Sequence, residues 1–197
     1  MRRAFELQVA RYGPDALDSL YLQNELAFTL AALRRYPEAE SLFLDLVERR
    51  AKDASVPPHL LAHSLSNLGL TRWRSGQPEK AVADFERARD ALQGTENVPP
   101  QIAASVQRGL GEALLDLGKT DAAETALLAA ESAASSLAAT DWRRLANEGL
   151  RVRLLLARGE RDAGTQRLAQ LLATMRAELT PDHPVLQDLM RVEASAR

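Results

Sequence analysis

The chain has 197 residues, a formal net charge of −2, 46% hydrophobic and 26% charged residues, and no cysteine. This composition belongs to a globular protein with enough apolar material for a sizeable core. It excludes disulfides, thiolate metal sites and cysteine catalysis, and the near-neutral balance gives no electrostatic reason to expect a nucleic-acid partner. No apolar run reaches membrane-spanning length, and Met1-Arg2-Arg3-Ala4-Phe5-Glu6 lacks the apolar stretch of a signal peptide. No membrane partner is expected, and the expected location is the cytoplasm. Three lysines against 22 arginines, with abundant Ala and Leu, point to a GC-rich bacterial coding sequence.

Residues 1–12 form the first predicted helix, and Gly13-Pro14-Asp15 follows it. Residues 18–53 read as helix, turn, helix. Leu20, Leu22, Leu26, Leu30 and Leu33 recur at helical intervals, and the turn runs from Leu33 through Tyr36-Pro37-Glu38-Ala39. Val56-Pro57-Pro58 ends that unit, because proline lacks a backbone donor and restricts its predecessor. Residues 58–95 repeat the scheme with Leu61, Leu65, Leu68 and the turn Ser75-Gly76-Gln77-Pro78-Glu79-Lys80-Ala81, closing at Val98-Pro99-Pro100. Residues 100–138 carry Leu110, Leu114, Leu117 and the turn Leu117-Gly118-Lys119-Thr120-Asp121-Ala122-Ala123. Residues 141–178 carry Leu150, Leu154 and the turn Arg158-Gly159-Glu160-Arg161-Asp162-Ala163-Gly164. Thr180-Pro181-Asp182-His183-Pro184 then leads into a last helix, 183–196, of terminal or capping type.

The turn segments end at residues 39, 81, 123 and 164, spacings of 42, 42 and 41, and the two Val-Pro-Pro segments are also 42 apart. Two landmarks in step identify an internal repeat. Pro, Asp or Glu at each turn's end suits the first turn of a helix by backbone geometry and dipole. Tight turns are therefore expected near 34–38, 75–79, 117–121 and 158–162, with no strand. The frame makes 1–12 the second helix of a partial repeat, and 1–197 a single array.

The repeat resembles the tetratricopeptide family, whose pattern is a Leu-small pair in the first helix and Ala-x3-Phe in the second. Leu26-Ala27, Leu68-Gly69 and Leu110-Gly111 supply the pair. Ala39…Phe43, Ala81…Phe85, Ala123…Leu127 and Gly164…Leu168 follow, while Arg151-Val152 replaces the pair in the fourth repeat. The family's usual period is about 34 residues. The longer period here, with Gly13-Pro14-Asp15 and Thr180-Pro181-Asp182-His183-Pro184 as linkers, resembles the kinesin-light-chain variety. The resemblance implies an all-α, right-handed superhelix of antiparallel helix pairs. It also implies that Ala39, Ala81 and Ala123 are buried at helix crossings, with Gly69 and Gly111 facing them.

Catalytic patterns are absent from the sequence. His59 and His63 share a helix face, but Leu60 stands where a metalloprotease carries Glu, so they read as ordinary histidines. His183 reads as a turn residue. There is no nucleophile elbow, no phosphate loop and no dinucleotide fingerprint. The expectation is a non-enzyme with no metal and no cofactor.

The resemblance implies instead a concave binding surface lined by first helices. Transferred residue by residue, it comprises Tyr21, Asn24 and Phe28; His63, Asn67, Leu70 and Trp73, with Ser66 and Arg74 beside them; Arg108 and Glu112, with Asp116; and Arg153. Tyr21 and Asn24 are expected to be exposed, and Trp142 to be a local packing anchor. The strip is expected to be aromatic and amide-rich at its start and more cationic toward Arg108 and Arg153, which Glu112 could pair. Asn67 matches the asparagine that precedes the Leu-small pair in kinesin-light-chain-type repeats. Glu25, Gly109 and Leu150 hold that place elsewhere, so the family's asparagine ladder is mostly missing. First helices carry no lysine, which argues against binding a chaperone's carboxylate tail. The implied function is a scaffold or adaptor recognising a protein or peptide segment along the concave face. The alternatives are a self-assembly module, or a peptide-sensing regulatory domain of a larger bacterial signalling protein.

Overall fold

The computed structural model describes residues 1–196. Among them are ten helices and no strand: α1 (Arg2–Tyr12), α2 (Leu17–Ala32), α3 (Tyr36–Lys52), α4 (Pro58–Arg74), α5 (Pro78–Leu92), α6 (Pro100–Asp116), α7 (Thr120–Ala133), α8 (Trp142–Ala157), α9 (Arg161–Glu178) and α10 (Pro184–Ala196). They group into two compact units, the first through Val98 and the second from Pro99.

Four tight turns join α2 to α3, α4 to α5, α6 to α7 and α8 to α9, and the helices of each pair pack on one another. All four turns close the same way. Arg34, Gly76, Gly118 and Gly159 take a left-handed φ of 59°, 79°, 72° and 81°. The next residue's N–H reaches back to the carbonyl five places earlier, as in Arg35 to Leu30, Gln77 to Arg72, Lys119 to Leu114 and Glu160 to Leu155. This satisfies carbonyls that a helix end leaves unpaired and reverses the chain at once. Pro37 and Pro78 then sit in the first turn of α3 and α5, where a missing N–H costs nothing.

In the first unit, Phe43, Leu46, Leu65, Leu68 and Phe85 are almost wholly buried. Ala39 and Ala81 have no exposed surface. A Cβ on Gly69 would lie 3.1 Å from the Phe85 ring, so glycine here lets α4 and α5 close onto the phenyl ring. Arg72 ties the second helices to α4, with Nε 2.9 Å from Glu40 and Nη1 2.7 Å from the buried Asp84.

In the second unit, Ala123 is equally buried, and a Cβ on Gly111 would lie 3.2 Å from its carbonyl oxygen. Val152 of α8 occupies the place of Gly69 and Gly111, with Leu156 one turn further, and the facing residue is Gly164 instead of alanine. A Cβ at Gly164 would meet Leu156 Cδ2 at 2.7 Å. The bulk moved to the first helix and the space to the second. Leu145, Val152, Leu168, Leu172, Met175, Leu186 and Leu189 form the core that joins α8, α9 and α10.

Candidate functional site

On α2, the sequence places Leu17, Tyr21, Asn24 and Phe28 at intervals of four, three and four, which is one face of a helix. Tyr21 is 61% exposed and Phe28 47% exposed, and Leu17 is more open still. Phe28 is therefore a surface group and not a packing group between helices. Asn24 departs from expectation: it is 5% exposed. Its Oδ1 accepts a hydrogen bond from Asn67 Nδ2 at 3.1 Å, and its own Nδ2 donates to Glu25 Oε1 at 3.2 Å. The amide is drawn inward because α4 offers it a partner, and the pair links α2 to α4. Asn67 itself is half-buried, as are His63, Leu70, Trp73 and Arg74 on the same helix, while Ser66 is buried. The first unit thus presents two exposed aromatic rings beside an amide pair.

The second unit holds a ladder of charge. Arg108 Nη1 donates to Glu112 Oε1 at 2.7 Å, and Arg153 Nη1 donates to Glu112 Oε2 at 3.1 Å. Arg153 Nη2 donates to Asp116 Oδ1 at 2.5 Å. Glu112 therefore bridges α6 and α8. The expected surplus of positive charge is not there, because two carboxylates on α6 face the two guanidiniums. Arg108 is 8% exposed, which makes it a structural member of the surface more than a free hand.

Trp142 carries more than local packing. Its ring lies 4.4 Å from the Arg143 guanidinium carbon and 6.0 Å from that of Arg108, with the His183 ring 5.8 Å away. Guanidinium against an aromatic face is an attractive arrangement. Sequence reasoning missed the Arg108 contact, since Trp142 and Arg108 stand on different helices and share no repeat position. Among the described residues, no group of three or more His, Cys, Asp or Glu is arranged to hold a metal ion. Nor is any helix long and apolar enough to cross a membrane.

Residues 18–94 match the tetratricopeptide repeat family model. No curated protein sequence matches the chain. Among solved structures, BtubC (BKLC) from P. vanneervenii superposes with a TM-score of 0.74 at 18% identity, covering 99% of this chain and 82% of that one. A Podosopora anserina chain described as a putative kinesin light chain with nearly identical TPR-like repeats superposes at 0.64, with 24% identity over 93% of this chain and 86% of that one. A single-substitution variant of that Podosopora anserina chain gives 0.65 at the same identity, over 93% and 85%. At these identities the likeness speaks for the fold, and the matched segment speaks for the family. Residues 18–94 are tetratricopeptide repeats, and the chain has the fold of the kinesin-light-chain-like tetratricopeptide proteins.

Proposed function

We propose that the chain is a scaffold or adaptor that takes a segment of a partner protein along its first helices, without enzymatic activity or cofactor. Tetratricopeptide repeats generally mediate protein–protein interaction, and that much comes with the family. The observation that supports a first-helix site is the exposed pair Tyr21 and Phe28 on α2. Aromatic rings on a rigid helix supply contact area at low ordering cost, and such residues dominate interface energetics. In the first unit His63, Asn67, Leu70 and Trp73 of α4 are further candidate contacts beside that pair, and in the second unit Arg108, Glu112 and Arg153 of α6 and α8 are candidate polar contacts. The 42-residue step from Ala81 to Ala123 crosses Val98-Pro99 unchanged, which supports reading 1–197 as one run of repeats. Arginine usage supports a bacterial source, and the cytoplasm is the compartment we assign.

The test begins with partner capture from the source cell and proceeds to the affinity of the purified partner. Tyr21→Ala and Phe28→Ala should each weaken binding at least about tenfold, with helicity and melting unchanged because both rings are exposed. Glu86→Ala and Arg89→Ala on α5 should do little. Loss through the α5 changes with none through α2 would put the interface on the second helices. Self-association is the second reading, and α1 is what favours it. None of its residues is buried, and Leu7 and Tyr12 are more than half exposed. A mass that rises with concentration, and falls in Leu7→Glu, would support that reading.

A further inference from the structure

The junction of α7, α8 and α9 differs from the equivalent junction of α3, α4 and α5 at a buried polar pair, in addition to the exchange of bulk between Val152 and Gly164. In the first unit, Arg50 near the end of α3 is buried. Its Nη1 donates to the Leu60 carbonyl at 2.8 Å and to Ser64 Oγ at 2.5 Å, so guanidinium and hydroxyl satisfy one another. Counted from Ala39 and Ala123, the residue in Arg50's place is Ala134. Counted from the turn glycines Gly76 and Gly159, the residue in Ser64's place is Asn147. The arm has been removed and the hydroxyl replaced by a carboxamide.

Two things mark the place where the arm is missing. A pocket of about 530 Å³ opens there, with Ala134 and Asn147 in its wall. Asn147 is 2% exposed, and neither its Nδ2 nor its Oδ1 has a hydrogen-bond partner. A buried donor and acceptor left unpaired are costly, and such groups are rare in folded proteins. Arg153 on the same helix faces α6 through Glu112, whereas Arg151 faces α7 through Glu131, so this pocket is separate from the charge ladder described above.

We propose that this pocket is a binding site for the side-chain carboxamide of an asparagine or glutamine presented by a protein partner. The chemistry of the walls selects among polar groups. Arg151 Nη2 lies 2.6 Å from both oxygens of Glu131, and Arg167 is held by Glu148 at 2.6 and 2.8 Å. Arg144 donates to the Leu137 carbonyl. With three guanidiniums and two carboxylates, and both acids already engaged, an arriving arginine meets net repulsion and leaves Asn147 Nδ2 unpaired. A carboxylate pairs Nδ2 and sets its lone pairs against Oδ1. A primary carboxamide offers one donor and one acceptor side by side and satisfies both atoms of Asn147 together. A backbone amide has its N–H and C=O on opposite edges and satisfies one. Both Asn147 atoms are out of solvent reach, so pairing requires the amide to rotate toward the pocket that its residue lines. The volume is in the range of sites that enclose a small group and the chain bearing it.

The experiment is a titration of the isotope-labelled full chain, followed through the side-chain NH2 resonances of Asn147. The probes are propionamide, N-methylacetamide, ethylguanidinium and propionate. Propionamide should shift these resonances saturably, and at least about fivefold more tightly than the other three. Asn147→Leu should abolish the response at the Ala134 methyl while leaving the melting temperature equal or higher, because a buried unpaired amide has been replaced by an apolar group of similar size. Ala134→Arg, which restores the arm found at Arg50, should block the response too, and serves if Asn147→Leu does not fold. No saturable shift with propionamide overturns the proposal, as does an equal or stronger response to ethylguanidinium, propionate or N-methylacetamide. A melting temperature lowered by several degrees in Asn147→Leu also overturns it, since the amide would then be held by enclosed water. None of these outcomes bears on Tyr21 and Phe28.

Discussion

Arg34 occupies a backbone conformation that the other three turns give to glycine. Its φ of 59° lies in the left-handed region, where a Cβ crowds the backbone at a cost of roughly 1–2 kcal/mol. The first turn keeps the same two closing bonds as the others, Arg34 N–H to Ala31 and Arg35 N–H to Leu30, so the geometry is imposed by the helix pair and not by the residue. Arg34→Gly should relieve that crowding. Glycine's greater freedom in the unfolded chain offsets about 0.5–1 kcal/mol of the gain. The net expectation is a stabilisation of about 0.5–1 kcal/mol, or about 2 °C in melting temperature for a chain of this size. Gly76→Ala, the reverse change in the next turn, should lower it. Thermal unfolding by circular dichroism checks both, and a melting temperature that falls in Arg34→Gly would show that the arginine side chain holds the turn.

Helix α10 begins at Pro184, and its start depends on one titratable group. His183 Nδ1 accepts the Val185 N–H at 3.3 Å, as an N-cap does, and its ring stands against Trp142. Burial holds its pKa below the ordinary histidine value of 6.5, against a smaller opposing pull from Asp182. A histidine depressed in the folded state takes its proton first in the unfolded chain, so stability is lost as pH falls below 6.5 toward the folded value. Protonation also fills the lone pair that caps α10. Acidification should therefore loosen α10 from the Leu186 and Leu189 core before the rest of the second unit. His183→Ala should be less stable at pH 7.5 and should lose the extra pH dependence just below 6.5. Hydrogen exchange of α10 amides at pH 5.5 and 7.5 is the measurement, and equal protection at both would remove the histidine from the argument. The elements themselves were legible in the sequence. Leucines at helical spacing, glycines at turn positions and paired prolines are local signals, and each turn's left-handed residue falls where the repeat puts it. Contacts between helices were legible in one place: Glu112 engages Arg108 and Arg153, the pairing that the resemblance suggested. Elsewhere they were not: Asn24 turns inward because Asn67 is across from it, and Trp142 meets Arg108 from another helix. No local pattern records those two meetings. The exchange of bulk between Val152 and Gly164 was visible as a departure from the repeat, but its meaning needed the facing residue.

At the scale of the molecule, the repeat and the contacts divide the chain differently. The period carries no mark at Val98-Pro99 that it does not also carry at Val56-Pro57-Pro58, whereas the contacts separate the chain there into two units. A unit with its own core should survive by itself. Residues 1–98 contain α1 to α5, with Phe43 and Phe85 buried, Gly69 closed on Phe85, and the Arg72 ion pairs joining α3, α4 and α5. A length near 100 residues is enough for a domain to fold alone, and in repeat proteins stability comes from each repeat and its immediate neighbours. The fragment 1–98 should therefore keep the helicity of its part of the chain and melt in one cooperative transition, below the melting temperature of the whole protein. Gly69→Leu in that fragment should abolish the transition, since overpacking such a crossing costs about 1–3 kcal/mol and a half-length chain is only marginally stable. A fragment that binds hydrophobic dye and melts without cooperativity would show that 1–98 does not form a self-sufficient core. The 42-residue period, running through Val98-Pro99, would then be the better guide to how the chain folds.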